Sequence, residues 1–401
     1  MHIGRPEFVQ PWVNNIRMLA VLCGTMTQKP RIISAVISDL VTDQRVHRAA
    51  LALHEAGYSV LLLGRQRRSS LPMDPRPYPV RRFRLWWEKG PLFYAAFNIR
   101  LFLFLLTYRA DILLANDLDT LPAAYLAARI RGAKVIYDSH ELFCEVPELV
   151  HRPRIRKIWK WIERRLLPNI RNAYTVNESI AEIYRKEYGV DFKVVRNVPL
   201  TNDANTSVPL TRADLQWPAD RRILLFQGTG INIDRGGEEA VRAMRYLDGF
   251  LLVFVGGGDV YRRLQDEVQS TGLSDRVRFL PRQLPERLKA ITRLADAGLS
   301  LDKDTNLNYR YSLPNKLFDY LQAGIPVIAT DLPEVRRIVE GYRTGVLVGD
   351  LAPEALADTI RRAFADPVQV DRWKENAQLA AAGLNWNQER SRLLEIVAHA
   401  H

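Results

Sequence analysis

Cysteine is nearly missing from this chain. Its 401 residues include only Cys23 and Cys144, too few and too far apart for a disulfide-built secreted scaffold, so a reducing, cytosolic setting is the expectation. Acid is short relative to base: 45 Asp plus Glu stand against 57 Lys plus Arg, a formal charge of +12. Such an excess favours an anionic partner without choosing between a nucleotide, a phospholipid surface and a nucleic acid. Zinc-ribbon spacing, a basic and aromatic repeat and any recognisable nucleic-acid module are lacking, which argues against nucleic acid as the partner.

Long unbroken hydrophobic runs are lacking as well. The apolar stretch Met18 to Cys23 ends at Thr25, Thr27, Gln28 and Lys29, well short of a membrane span. Residues 1–28 read as an extension before the first core strand. The run PLFYAAFNIRLFLFLLTY, residues 91–108, is interrupted by Asn98 and Arg100, and an unpaired arginine is costly in lipid. It reads as a helix, either packed in a core or laid on an anionic membrane surface. Arg81, Arg82, Arg84 and Lys89, with Trp86 and Trp87 among them, keep the surface reading open.

What is present is a rhythm. At 47% hydrophobic and 25% charged residues, the chain has enough apolar material for two compact domains. Strand-like runs rich in Val, Ile and Leu (RIISAVIS from Arg31, SVLLLG from Ser59, DILLA from Asp111, KVIYD from Lys134) alternate with helical patterns. Residues 65–84 read as a Pro- and Arg-rich loop. The rhythm pauses over residues 201–220, an Asn-, Thr- and Pro-containing linker, and restarts at ILLFQG from Ile223. Alternation of this kind implies mostly parallel sheets covered by helices on both faces, with ligands met at the strand C-terminal edges. The expected divisions are a first α/β domain over 29–200, a second over 221–367 and a helical segment over 368–401.

The candidate site residues lie at those strand ends. YDSHE, residues 137–141, follows one strand, and His140 there can exchange hydrogen bonds with a reacting group, with Glu141 beside it. Asn116 and Asp117 end another strand and are open to site and structural roles alike. Asp43 and Arg45 follow the first strand. Arg45 suits an anionic acceptor or phosphate, although an ion pair with a nearby carboxylate reads the same way.

In the second half, QGTGINIDRGG carries Gly228, Gly230 and Arg235 between a strand and a helix, where close backbone approach and a helix start favour phosphate. Ile233 stands where a dinucleotide-type glycine fingerprint needs its third glycine, which counts against a dehydrogenase. GGGD adds Gly257 and Gly258. SLPNKLFDYLQAGIPVIA places Asn315, Lys316 and Asp319 at a helix start opened by Pro314. There Lys316 can neutralise a pyrophosphate and Asp319 can accept hydrogen bonds from ribose hydroxyls.

With NKLFDYLQAGIPVIA, YDSHE and NDLDT on the page, residues 31–365 resemble the group 1 family of retaining glycosyltransferases. The resemblance implies the GT-B fold: two Rossmann-like domains facing across a cleft, with a C-terminal helix crossing back to the first. It also implies transfer of a sugar from a nucleoside diphosphate sugar to a lipid-linked or polysaccharide acceptor with retention, no tightly bound cofactor and no metal. It maps the two diphosphate-facing cations onto Arg235 and Lys316. The family's two glutamates, separated by seven residues, fall on Tyr311 and Asp319; Tyr311 is a departure that removes one carboxylate, with Asp302 or Asp304 near enough to replace its acidity. The scarcity of cysteine makes the cytoplasm the expected location, and the aromatic, apolar and basic residues 85–108 are the reason to expect a peripheral place on the inner face of the membrane. An epimerase of related fold and a non-catalytic nucleotide-sugar-binding protein are the competing readings.

Overall fold

The computed structural model describes residues 29–200 and 209–400. The expected extension 1–28 and residues 201–208 of the expected linker lie outside the described residues.

The first half is a seven-stranded, wholly parallel sheet in the order β3-β2-β1-β4-β5-β6-β7. Its strands are β1 (Arg31–Asp39), β2 (Ser59–Gln66), β3 (Val80–Arg84), β4 (Ile112–Asn116), β5 (Lys134–Ser139), β6 (Asn172–Thr175) and β7 (Lys193–Val194). The helices between them are α1 (Gln44–Glu55), α2 (Pro91–Thr107), α3 (Leu121–Arg131), α4 (Pro153–Leu166) and α5 (Glu178–Tyr188). Two strands depart from the sequence reading. β3 lies inside the expected 65–84 loop, because VRRFR has only Phe83 buried and its arginines hide the alternation. β7 is two residues long and carries no periodicity to read.

The second half repeats the plan with six parallel strands in the order β10-β9-β8-β11-β12-β13. These are β8 (Arg222–Gly228), β9 (Phe250–Gly256), β10 (Val277–Pro281), β11 (Ala297–Ser300), β12 (Val327–Thr330) and β13 (Gly345–Val348). Helices α6 (Gly237–Ala243), α7 (Tyr261–Ser270), α8 (Pro285–Arg293), α9 (Asn315–Ala323), α10 (Pro333–Val339) and α11 (Pro353–Ala363) cover it.

In each sheet the order reverses once, between β1 and β4 and between β8 and β11. A doubly wound sheet opens a crevice at that reversal, beyond the strand C-termini. Both crevices face the same cleft, and the two Rossmann-like domains meet across it.

Two long helices, α12 (Pro367–Gly383) and α13 (Trp386–Ala400), close the chain. α13 crosses back onto the first domain. Arg390 pairs with Glu55 at 3.1 Å, the Arg48 guanidinium lies 5.7 Å from the Trp386 ring, and Glu389 accepts from the Arg196 backbone N–H at 2.9 Å. One apolar core runs without a break from α1 and β1 through Val195, Val198, Trp217 and Trp386 to β8, β9 and α9.

The interrupted run 91–108 forms α2, whose Phe93, Phe97, Leu101 and Leu105 are buried. Its two polar interruptions are absorbed by protein: Asn98 donates to Asp119 O at 2.7 Å, and Arg100 lies over the Phe83 ring at 4.9 Å and donates to Arg84 O. No helix among the described residues is long and apolar enough to cross a membrane.

Candidate active site

On the first domain's side of the cleft, Asp117 occupies the left-handed backbone region at φ 63°, a sterically costly place for a residue with a Cβ. That turn aims its carboxylate at the next strand end. Oδ1 accepts from the His140 backbone N–H at 2.9 Å and Oδ2 meets His140 Nδ1 at 3.0 Å. The other ring nitrogen, Nε2, lies 3.1 Å from Asp138. Burial opposes charge on the imidazole, but Asp117 and Asp138 outweigh it and hold the His140 pKa well above its ordinary value. Both ring nitrogens of His140 thus face carboxylates, a setting that favours its charged form; the sequence reading had this side chain exchanging hydrogen bonds with a reacting group and did not contain the pairing.

Asp138 is fully enclosed. Burial pushes its pKa up, yet Arg45 and His140 bring it down to about 2. Arg45 grips it with two hydrogen bonds, 2.6 and 3.1 Å, and donates a third to Val195 O at 3.1 Å. Of the two readings open for Arg45, the ion pair is present here, with the side chain 7% exposed. Asp43 is the N-cap of α1, accepting from the Val46 N–H at 3.1 Å. Asn116 is buried and donates to Ser34 Oγ and Ala35 O, both at 2.9 Å, so it ties β4 to β1 at the sheet reversal.

Glu141 reaches across the cleft. Its Oε2 accepts from Asn308 Nδ2 at 2.8 Å, while Asn308 Oδ1 accepts from the Leu142 N–H at 3.1 Å. One amide of the second domain thus bridges two groups of the first. Packing around the carboxyl, and after it the Asp117 charge, raises the Glu141 pKa although solvent still reaches the residue. Asn308 carries no motif, and only its spacing from Lys316 could have drawn attention to it.

On the opposite wall the two cations converge. Arg235 Nη1 lies 2.9 Å from Asp302 Oδ1, and Lys316 Nζ 3.5 Å from Asp302 Oδ2. Each head group sits near an aromatic face, Arg235 at 4.2 Å from the Tyr309 centroid and Lys316 at 4.6 Å from that of Phe226. Burial opposes the charge on Arg235, but Asp302 foremost, then Tyr309 and Glu141 across the cleft, raise its pKa. Asp304 pairs with Arg310 at 3.4 Å. Both carboxylates that the sequence offered in place of the acid lost at Tyr311 are thus ion-paired here. Tyr311 instead accepts a 2.7 Å hydrogen bond at its backbone O from Asn177 of the first domain.

The glycine-bearing loops divide by what surrounds them. A Cβ on Gly258 would stand 2.3 Å from Ile231 O, whereas one on Gly228 meets nothing closer than 3.9 Å and one on Gly230 nothing closer than 3.4 Å. Gly257 faces Arg282 at 3.5 Å. Gly258 is thus demanded by loop packing, and Gly228 and Gly230 leave space open. Asn315 is exposed at the start of α9. Asp319 accepts from Gln227 Nε2 at 3.0 Å, and Gln227 in turn accepts from Thr292 Oγ1 at 2.7 Å. Burial raises the Asp319 pKa to about 6 against the pull of Gln227 and Arg48. Among the described residues no group of His, Cys, Asp and Glu is placed to hold a metal ion.

Comparison with known proteins matches this geometry to one class. The model for "Glycosyltransferase Family 4" matches residues 43–200, and that for "Glycosyl transferases group 1" matches residues 208–380. A D-inositol 3-phosphate glycosyltransferase of Xylanimonas cellulosilytica is 26% identical over 235 residues, 55% of each chain. The chain thus spans about half the length of that curated relative. Sucrose-phosphate synthase from Thermosynechococcus elongatus superposes with a TM-score of 0.75 at 21% identity, over 92% of this chain and 99% of that one. WaaG, a glycosyltransferase involved in lipopolysaccharide biosynthesis, superposes with a TM-score of 0.71 at 15% identity, over 91% and 99%. One glycosyltransferase family model thus matches each side of the cleft, and the two-domain GT-B fold is shared with these solved structures.

Proposed function

We propose that the protein is a retaining glycosyltransferase that moves a sugar from a nucleoside diphosphate sugar to a hydroxyl of a lipid-linked or polysaccharide acceptor. The observation that carries the reading is the convergence of Arg235 and Lys316, 81 positions apart in the chain, at the crevice where the second sheet reverses. The donor diphosphate sits between them, over the open space beside Gly228 and Gly230, with Asp319 toward the ribose. As the bond at the anomeric carbon breaks, its electron pair leaves with the diphosphate, and fixed cations stabilise that charge more than they stabilise the resting donor. The acceptor hydroxyl oxygen then bonds to the anomeric carbon on the face the diphosphate leaves, and its proton passes to the departing diphosphate oxygen. His140 and Glu141 face this centre from the first domain.

The decisive experiment incubates the protein with a panel of nucleotide sugars and candidate acceptors, and measures released nucleotide and glycosylated product by mass. Arg235→Ala and Lys316→Ala should each lower turnover more than donor affinity, Lys316→Ala the more so. The double variant should lose less than the sum, because both act on the same phosphates. Native turnover in both single variants would remove the diphosphate site, and release of an altered free sugar without acceptor would mark an epimerase. Anomeric configuration of the product by NMR tests retention.

The acceptor class rests on the outer face of the first domain. Trp86 is 89% exposed, and Ile99 and Leu103 on α2, Leu126 and Ile130 on α3, and Ile158 and Trp161 on α4 all face outward. Arg129, Arg131, Arg154, Lys157, Arg164 and Arg165 lie among them, and the acid of α4, Glu163, is buried against Lys160 and Tyr188. Aromatic and apolar groups set among unopposed cations suit the surface of an anionic bilayer, where a lipid-linked acceptor resides.

A further inference from the structure

Asp302 lies two residues beyond the end of β11, with its side chain 1% exposed. A buried carboxylate in a cleft built for an anion is a contradiction unless it has a task. Its two oxygens are divided between the two cations, and Ser300 Oγ stands 3.5 Å from Oδ2. Its backbone is clamped to the loop that bears Arg235 from both sides. Gly236 packs so closely on Leu301 that a Cβ would stand 2.3 Å from Leu301 O, and the Lys303 N–H donates to Asp234 O at 2.8 Å. Asp302 therefore cannot drift away from Arg235 without moving both loops.

We propose that Asp302 is the positioning residue of the donor site, its carboxylate standing in for a phosphate in the donor-free protein and holding Arg235 and Lys316 aimed at one point. The inference rests on the donor-site reading above. Two cations against one carboxylate leave a single net positive charge for the incoming diphosphate, while like-charge repulsion between Arg235 and Lys316 is held down until it arrives. The same carboxylate keeps Lys316 protonated. Burial lowers the Lys316 pKa, Asp302 raises it and Arg235 lowers it further, so removing Asp302 leaves two depressing influences and no counterweight. Asp302 itself, pulled below the usual carboxylate range by Lys316 and Arg235 in spite of burial, has neither a proton to give nor an oxygen to spare as a general acid.

The test uses inorganic pyrophosphate as probe, so that it does not depend on which nucleotide sugar is the donor. Its dissociation constant is measured by calorimetry from about pH 6.5 to 10 for wild type, Asp302→Asn, Lys316→Arg and the double variant. Pyrophosphate's own ionisation is common to all four and cancels in the ratios. Asp302→Asn should lose affinity about tenfold per pH unit from a point at least about one unit below where wild type begins to lose it, as the unsupported ammonium deprotonates. Lys316→Arg should erase that difference, since a guanidinium keeps its proton throughout. Coincident pH profiles for wild type and Asp302→Asn overturn the proposal, as does a shift that persists with arginine at 316. If Asp302→Asn does not fold, Asp302→Glu decides: charge is retained, so the alkaline loss should stay where wild type has it, and displacement by one unit or more overturns the role. Wild type that binds no pyrophosphate at any pH refutes the donor site itself, a different result from either.

Discussion

His140 shows how much a single side chain depends on its neighbours. Its charge comes from Asp117 and Asp138, one on each ring nitrogen, and Arg45 in turn fixes Asp138. A histidine whose folded pKa lies above its unfolded one stabilises the protein fully below the unfolded value, near 6.5, and the contribution disappears as pH rises through the folded value. His140→Ala should therefore leave the fold intact, cost roughly 1–3 kcal/mol of stability near pH 6, and converge on wild type at alkaline pH when denaturation midpoints are compared. Transfer at saturating donor and acceptor should fall by up to roughly a hundredfold, as the strand-end turn that His140 holds between Asp117 and Asp138 loses its place at the cleft; unchanged turnover would take His140 out of the site. Asp319 runs the opposite way. Burial favours its proton up to about pH 6, so ionisation costs stability as pH rises toward that value, and hydroxyl donors of a bound ribose would recover the cost. Donor affinity should drop below about pH 6, and binding there should release a proton, visible as a buffer-dependent calorimetric enthalpy; Asp319→Asn should abolish both effects.

At the scale of elements, the alternation of strand and helix was readable because apolar β-branched runs are cut by helical spacing in both halves. What escaped was structure whose signal lies outside its own segment. β3 is a strand because β2 pairs with it from Leu62 to Gln66, not because VRRFR alternates. Arg45 and Asp138 are 93 positions apart, and nothing in either stretch announces the other. PNKLFDYLQAG was legible for the converse reason, since its N-capping Pro314, its cation and carboxylate, and its C-capping Gly324 all belong to one short helix and its caps. The glycine loops were visible as loops, but which glycine serves packing and which leaves room needed coordinates. Gly258→Ala should lower stability by about 1–3 kcal/mol, because the added methyl meets the Ile231 backbone. Gly230→Ala should melt close to wild type and weaken donor binding instead. Equal melting temperatures for the two variants would contradict the assignment.

For the molecule as a whole, charge and apolar surface are distributed unevenly. The cleft is framed by ion pairs, whereas α2, α3 and α4 expose Ile, Leu and Trp with basic neighbours. Flotation with anionic vesicles should retain the protein at low salt and release part of it at moderate salt, as exposed charges are screened. Trp161→Ala combined with Lys157→Glu should lose retention without loss of fold. An absence of binding at both salt concentrations would leave these helices without a lipid role.

The return of α13 to the first domain also bears on the order in which the protein can be completed. A ribosome delivers the chain from its N-terminus, and domains generally fold as they emerge. Here β1 to β7 are available long before Trp386 to Ala400, yet Glu389, Arg390 and Trp386 supply the partners of Arg196, Glu55 and Arg48. The first domain therefore waits, partly uncovered, until the whole second domain has been synthesised, and residues 386–400 then supply its last packing surface.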